Sequence, residues 1–302
     1  MNYYFAYGLT IASNIDFPEL YTIPPTPTPD VLVSIGKIPA HLPARSEEKY
    51  ADFHITPSEY LLSVKDAGAF YASGGNEVII DPIADADMKV VRIFFLSNAM
   101  AAILYQRKFV PMHAAAIYDA DGIVLFLGDS GAGKSTTTAT LQAKGYRVFS
   151  DDVCVPVKDA DGLSAYAAYP MMKLWKDSFT KANIGTYQEE DRLRPELDKY
   201  GKLFNESFIT EARRIKKIFV LQKSDTDAFQ YKPVKGIEAF KHLQNYAYRL
   251  QYIEKMGVTK AYFDIISALS NQIPIIVVTR PSEADTLSQV IELIESNLEE
   301  RL

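Results

Sequence analysis

Gly128-Asp129-Ser130-Gly131-Ala132-Gly133-Lys134-Ser135 is the stretch on which the reading turns. It fits the pattern G-x-x-x-x-G-K-[ST], whose glycines let the backbone curl around an anion. The flanks fit the same chemistry. The apolar run Ile123 to Leu127 predicts a buried strand leading in, and Lys134 to Lys144 predicts a helix leading out, stopped by Gly145. Backbone N–H groups and the positive end of that helix can hold a β-phosphate. Lys134 would neutralise the β- and γ-phosphates, the Ser135 hydroxyl would ligate Mg²⁺, and Thr136 would stabilise the helix start. By composition alone such a string arises in roughly one chain of this length per hundred, and the flanking strand and helix lower that figure. Gly128 through Thr136 is therefore the candidate ATP-binding segment.

Downstream, the strand Tyr146 to Phe149 leads to Ser150-Asp151-Asp152. A parallel β-α-β unit puts the carboxyl end of its second strand beside the phosphate loop, where ligands of open α/β sheets bind. One carboxylate can hold Mg²⁺ there, and the other can accept the proton of an attacking hydroxyl. The spacing does not say which does which, and a solvated turn at a strand end is the plain alternative. Upstream, His113 precedes the strand Ala114 to Tyr118 and by itself reads as a packed or hydrogen-bonded residue.

The whole chain sets bounds. With 302 residues, 48% of them apolar and 23% charged, it can bury a large core. Its net charge of −6 argues against a protein that binds nucleic acid over its whole surface. One cysteine, Cys154, excludes an intramolecular disulfide framework and a multi-cysteine zinc site, and His41, His54, His113 and His242 lack metal-ligand spacing. The start, MNYYFAYGLT, lacks the basic and long apolar regions of a signal peptide. The most apolar run, Ile93 to Tyr105, reads as too short to span a bilayer. The expectation is a cytoplasmic protein with no membrane and no nucleic-acid partner.

Residues 1–87 read as β-rich: Tyr3 to Ile11, Val31 to Ile35, Tyr60 to Val64 and Val78 to Ile80 are separated by turn residues, with Ile23 to Asp30 a stiff proline-rich loop. Residues 88–106 read as a helix. After Pro111, strands alternate with helices, Ile215 to Leu221 and Ile275 to Val278 being further buried strands. A final helix carries the stripe Leu287, Val290, Ile291, Ile294 and Leu298 after a start signal at Pro281-Ser282. The division is thus 1–87, β-rich, and 88–302, α/β.

The segment Met112 to Val153 resembles the catalytic core of the bacterial HPr kinase/phosphorylase family, which carries a histidine, the loop GDSGxGKS and a pair of aspartates at the next strand end. Here these are His113, Gly128 to Ser135, and Asp151-Asp152. The resemblance implies an α/β fold with a P-loop kinase core akin to phosphoenolpyruvate carboxykinase, using ATP and Mg²⁺. It implies that Asp152 is the proton acceptor, that Lys134 works on the phosphates, that Ser135 ligates Mg²⁺, and that His113 orients or polarises the acidic pair. Beyond about 40 residues the chain departs from the family. Where a glycine-rich LEIRGLG-type signature would stand, it reads Tyr169-Pro170-Met171-Met172-Lys173-Leu174-Trp175. A YDRLG-type loop has no match after Leu221, and the N-terminal part does not resemble the family's regulatory domain. The chain looks more like divergent HPr-kinase-like proteins, some of which phosphorylate a serine on the tail of a ribosomally made precursor such as a lasso peptide.

Arg192, Arg194, Lys199 and Lys202 place four cations in eleven residues of an acidic chain. They read either as a mobile lid over the γ-phosphate, with Arg194 and Lys199 as its contacts, or as a solvated face. Three functional readings follow. The leading one is an ATP-dependent kinase acting on a serine hydroxyl of a peptide or protein. The others are a small-molecule kinase and a non-catalytic ATP-binding sensor. The transporter signature LSGGQ and the protein-kinase motifs H-R-D and D-F-G are absent. The acceptor, any phosphorylase activity and a homo-oligomeric state stay open.

Overall fold

In the N-terminal third, short segments alternate buried and exposed side chains, as in Val31 (buried), Leu32 (exposed) and Val33 (buried). That period of two marks strands with one face on a core. A computed structural model, describing all residues except 43–49, 161, 226–227, 283 and 300–302, shows them as β1 (Asn2–Ala6), β2 (Leu9–Ser13), β3 (Tyr21–Thr22), β4 (Val31–Ile35), β5 (Ala51–Ile55), β6 (Glu59–Val64), β7 (Gly68–Ser73) and β8 (Glu77–Pro82). They form one sheet in the order β3-β1-β2-β4-β8-β7-β6-β5. The single strand expected over Tyr3 to Ile11 is instead a hairpin. Ala6 pairs with Leu9, so Tyr7 and Gly8 are its two-residue turn, both with positive φ (58° and 79°). That is the backbone whose twist matches a tight hairpin.

A helical rod runs from Met88 to Gln106, with a wide π-turn at Phe95–Ala99. Its 19 residues, at a mean hydropathy of 1.4, are long and apolar enough to cross a membrane, unlike the shorter run read from sequence. Its apolar side lies inside the protein, however. Val91, Phe95, Leu96, Ala99 and Ile103 share one hydrophobic cluster with Tyr4, Ile11, Tyr60, Phe70 and Ile80 of the N-terminal sheet and with Phe17 of the β2–β3 connection. The helix assigned to the second half of the chain thus packs with the first.

The second half holds β9 (Ala114–Asp119), β10 (Gly122–Gly128), β11 (Arg147–Ser150), β12 (Cys154–Asp159), β13 (Gly162–Ala167), β14 (Met171–Trp175), β15 (Arg192–Arg194), β16 (Leu197–Leu203), β17 (Arg213–Ser224), β18 (Gln230–Val234) and β19 (Ile275–Pro281). One sheet follows the order β11-β9-β10-β17-β13-β12, with β19 beside β17 and β18 beside β19. β10, β17 and β19 run parallel. β9 lies antiparallel between β10 and β11, so the expected β-α-β unit is parallel but its strands are not neighbours. The continuous apolar run of β10 has a simple cause. Ile123, Leu125 and Leu127 face one cluster, with Ile266 and Leu269, while Val124 and Phe126 face another, with Leu141, Val290 and Ile294. Both faces are covered by helices, so no polar alternation survives. The last helix, Leu287–Glu299, starts later than Pro281-Ser282. Pro281 ends β19, and the Asp285 carboxylate accepts the Leu287 N–H at 3.1 Å.

A third sheet, β14-β16-β15, is antiparallel. The segment read as a mobile basic lid is therefore two paired strands. Gly8 shows how tightly the hairpin tip meets the second half: a Cβ there would lie 2.6 Å from the Tyr166 ring. Gly8→Ala, strained in both backbone and contact, should destabilise the protein by about 1–3 kcal/mol. A urea denaturation series would check this, an unchanged midpoint contradicting it.

Candidate active site

The glycine-rich loop connects β10 to the helix Lys134–Ala143. Gly133 caps that helix with φ 98°, and a Cβ on it would lie 2.8 Å from the Arg280 guanidinium. Only glycine lets the loop turn this way with Arg280 so near. Ser130, Gly131, Gly133, Lys134, Ser135 and Thr136 line a cavity of about 710 Å³, together with His113 and Asp152. Gly128, Asp129 and Ala132 shape the loop behind them. The Lys134 ammonium donates to Gly128 O (2.6 Å) and Asp129 O (3.1 Å). Burial lowers its pKa, against the pull of Asp151 and Asp152. Thr136 bonds the Ser178 hydroxyl at 2.8 Å, tying the loop's helix to the start of the next one, Lys176–Ala182.

The acid pair lies at the end of β11. Asp151 is 2% exposed and fixed by two donors: the Ser135 hydroxyl at 2.8 Å and the Lys173 N–H at 2.7 Å. Burial raises its pKa, and Asp152 adds to the rise. Asp152 has a left-handed backbone, φ 72°, which turns its side chain away from that of Asp151 and into the cavity. The Lys173 ammonium donates to Asp152 at 2.7 Å. Burial works against the Asp152 charge, but Lys173, His113 and Lys199 outweigh it and hold the carboxyl well below the usual aspartate range. Asp152 is thus a carboxylate at any physiological pH.

His113 Nδ1 lies 2.9 Å from Asp152 O and 3.4 Å from its carboxylate. A carbonyl only accepts, so Nδ1 carries the proton and donates, leaving Nε2 as the acceptor of the neutral ring. Burial lowers the His113 pKa, with Lys134 helping and Asp152 opposing, which favours that neutral form at pH 7.

Of the two expected lid residues, only Lys199 lines the cavity, its ammonium 5.5 Å from the Trp175 ring across the β14–β16 pair. Arg194 does not. It pairs with Glu196, donates to the Tyr50 hydroxyl at 3.1 Å and covers the Phe94 ring. Its strand partner geometry points it at the N-terminal half instead of the phosphate loop.

Two site residues escape sequence reading. Lys173 sits in the apolar run Met171 to Trp175, where a lone lysine in a buried strand was the available signal. Arg280, at the end of β19, donates to Ala132 O of the loop at 2.6 Å and lines the cavity, while its buried Nε has no partner. No sequence neighbour marks it.

Among the described residues no three His, Cys, Asp or Glu side chains are grouped so that they could hold a metal ion. The Ser135 and Asp151 oxygens nevertheless suit Mg²⁺, a hard cation usually held by one or two protein oxygens plus phosphate and water.

The described residues thus define a mixed α/β protein with several sheets, and a glycine-rich loop that shares a cavity with the half-buried Asp152 while Asp151 is buried behind it. No protein-family model matches the chain, and no curated protein does. Among solved structures it is similar to the Hpr(Ser) kinase/phosphatase from Coxiella burnetii, at 10% identity and a TM-score of 0.31, covering 62% of this chain and 90% of that one. A likeness that distant carries no argument here.

The Lys173–Asp152 pair yields a stability prediction. Folding lowers the proton affinity of Asp152, so its contribution is full above the ordinary aspartate value of 3.8 and is lost as pH falls through the depressed folded value. At pH 7, Lys173→Met should cost about 3–5 kcal/mol by leaving a buried carboxylate unpaired. Adding Asp152→Asn should recover much of that. A double-mutant cycle in urea measures the coupling, and additive losses would contradict it.

Proposed function

We propose that the chain is an ATP-dependent phosphotransferase that moves the γ-phosphate to a serine hydroxyl of a peptide or protein. The observation that carries this reading is the convergence on one cavity of a strand–loop–helix anion cradle, the Ser135 hydroxyl backed by the buried Asp151, and a second, ion-paired carboxylate, Asp152. In this reading the loop N–H groups and Lys134 hold the β- and γ-phosphates, the lysine leaving its loop carbonyls to do so. Ser135 and Asp151 hold Mg²⁺, which supplies charge neutralisation on the phosphate oxygens when bound. Asp152 receives the proton of the attacking hydroxyl, and His113 fixes the Asp152 backbone. Lys173 keeps Asp152 charged, so the carboxylate orients the hydroxyl and takes its proton late, as a loose phosphoryl-transfer transition state allows. Arg280 and Lys199 add positive charge to the wall of the same cavity.

An unstructured serine-bearing tail, such as that of a ribosomally made precursor, suits the acceptor side, where Trp175 is 40% exposed with Lys199 beside it. We place this activity in the cytoplasm, where ATP is supplied.

ATP with Mg²⁺ should raise the melting temperature, because a ligand bound only by the folded state stabilises it. Lys134→Ala should abolish most of that shift. An unchanged shift would put the phosphates elsewhere.

Asp152→Asn should lower phosphoryl transfer on the order of 10²-fold or more while ATP still binds. Intact-mass analysis after incubation with a serine-ended peptide, HPr or free metabolites reads both the rate and the acceptor. A variant as fast as the parent sinks the base assignment. Phosphorylation of a metabolite alone would make the protein a small-molecule kinase, and no transfer with intact ATP binding would make it a sensor.

A further inference from the structure

Three non-glycine residues with left-handed backbones, Tyr7 (φ 58°), Asp152 (72°) and Arg249 (57°), are joined through one feature of the N-terminal half. Non-glycine residues keep such a conformation only where their surroundings enforce it, and they gather at functional sites. The feature is the wide turn Phe95–Ala99 in the long helix. Two consecutive carbonyls of that turn are taken by side chains from elsewhere. Leu96 O accepts the Tyr7 hydroxyl at 2.8 Å, and Ser97 O accepts Arg249 Nε at 3.1 Å. Single wide turns of this kind are themselves frequent at functional sites.

Each contact begins an arm that ends on Asp152. In the first, the Tyr7 ring meets the Tyr169 ring edge-on, 5.8 Å between centroids. The Lys173 ammonium lies 5.6 Å from the Tyr169 ring and donates to the Asp152 carboxylate at 2.7 Å. The hairpin turn at Tyr7 also acts through its backbone. Tyr7 N–H donates to Ala167 O and Ala168 O (3.0 and 2.9 Å), Ala168 N–H donates to the Ser150 hydroxyl, and that hydroxyl donates to Val153 O at 2.6 Å. Ser150 and Val153 bracket the acid pair. In the second arm, Arg249 follows Tyr248, whose ring lies 5.9 Å from that of His113. His113 in turn donates to Asp152 O. The backbone of this arm is tied in as well, His113 N–H to Tyr246 O and Tyr248 N–H to Pro111 O, both at 2.7 Å. Val153, Tyr169 and Met171 belong to the same hydrophobic cluster as the N-terminal sheet and the long helix.

We propose that the N-terminal β unit is a positioning element of the active site: the turn at Phe95–Ala99 anchors Asp152 through Tyr7–Tyr169–Lys173 on one side and Arg249–Tyr248–His113 on the other. Tyr7 and Arg249 are then positioning residues, touching no reacting atom. The need for them is physical. A strained aspartate at a free strand end has no intrinsic reason to hold one orientation, and in-line transfer tolerates little misplacement of the group that orients the hydroxyl. The rate arm of the test rests on the kinase reading above; the exchange arm does not.

The test uses the full chain and two substitutions. Tyr7→Leu removes both the hydroxyl bond and the ring edge, whereas Tyr7→Phe keeps the ring. Amide hydrogen exchange followed by mass spectrometry should show residues 150–153 and 171–175 exchanging about tenfold faster or more in Tyr7→Leu, with 123–127 unchanged. Tyr7→Phe, which keeps the ring contact with Tyr169 but loses the hydroxyl bond to Leu96 O, should show a smaller rise in the same segments, and full parent-like protection in that variant would remove the Phe95–Ala99 turn from this arm. Arg249→Gln, which removes the Ser97 contact, should loosen residues 150–153 from the other side. Phosphoryl transfer by Tyr7→Leu should lose about tenfold or more in kcat with KM for ATP unchanged, with Tyr7→Phe falling between it and the parent. Faster exchange confined to residues 5–10 would overturn the proposal, as would faster exchange everywhere in step with a lower Tm. So would loosened segments with an unaltered kcat. If the parent protein transfers phosphate to no acceptor, the kinase reading falls, and the exchange pattern alone still decides whether the arms hold Asp152.

Discussion

Setting a buried Asp151 next to a half-buried Asp152 takes water from two neighbouring carboxyl groups, and one residue, Lys173, binds both. Its N–H binds the Asp151 carboxylate and its ammonium binds that of Asp152. The two aspartates diverge because the left-handed backbone at Asp152 sends neighbouring side chains to different partners. The consequence is chemical asymmetry. Asp151, stripped of water by burial, has its pKa raised in spite of its bonds from Ser135 and the Lys173 N–H, while Asp152, facing an ammonium, has it lowered. Two adjacent residues of one type thereby acquire two different jobs.

That requirement shapes the elements around it. Lys173 can serve both carboxylates only from a strand running past the end of β11, and β14 is that strand. β14 needs a partner, which β16 supplies, and the β14–β16 pair carries Lys199 and Trp175 to the cavity wall. The basic segment after residue 190 is therefore ordered by sheet pairing. Arg194 is carried to the N-terminal half by the same pairing, where Glu196, Tyr50 and Phe94 receive it.

The N-terminal sheet is bound into this arrangement and is not a separate appendage. The hairpin tip at Tyr7 and Gly8 presses on Tyr166 and Tyr169, and the long helix contributes Phe95 and Leu96 to the cluster that holds Val153 and Met171. An apolar helix of membrane-spanning length here spends its hydrophobic side on a sheet and on the floor of the acid pair. Buried tyrosines such as Tyr60 and Tyr252, hydroxyls 2.8 Å apart, pin the two halves where both meet the rod.

What the sequence determined by itself was what depends on neighbours along the chain. The strand–glycine loop–helix from Ile123 to Ala143 is local. Its apolar run, its glycines and its Lys134-Ser135 pair state the element order without help from distant residues. The aspartates at the next strand end follow from the same local grammar. The hairpin at Tyr7 was missed because its turn carries a buried tyrosine, which local propensity reads as strand; its positive φ is enforced from afar by Leu96, Ala167 and Ala168. Lys173 and Arg280 were hidden for a related reason. Lys173 stands 21 positions after Asp152 and Arg280 stands 148 after Ala132, and a charge partner at that distance leaves no periodic trace. Only tertiary packing decided which aspartate met the lysine, which basic residue reached the cavity and which half owned the long helix. Electrostatic pairing and burial act through space, and spacing along the chain records them only when the partners are also neighbours in sequence.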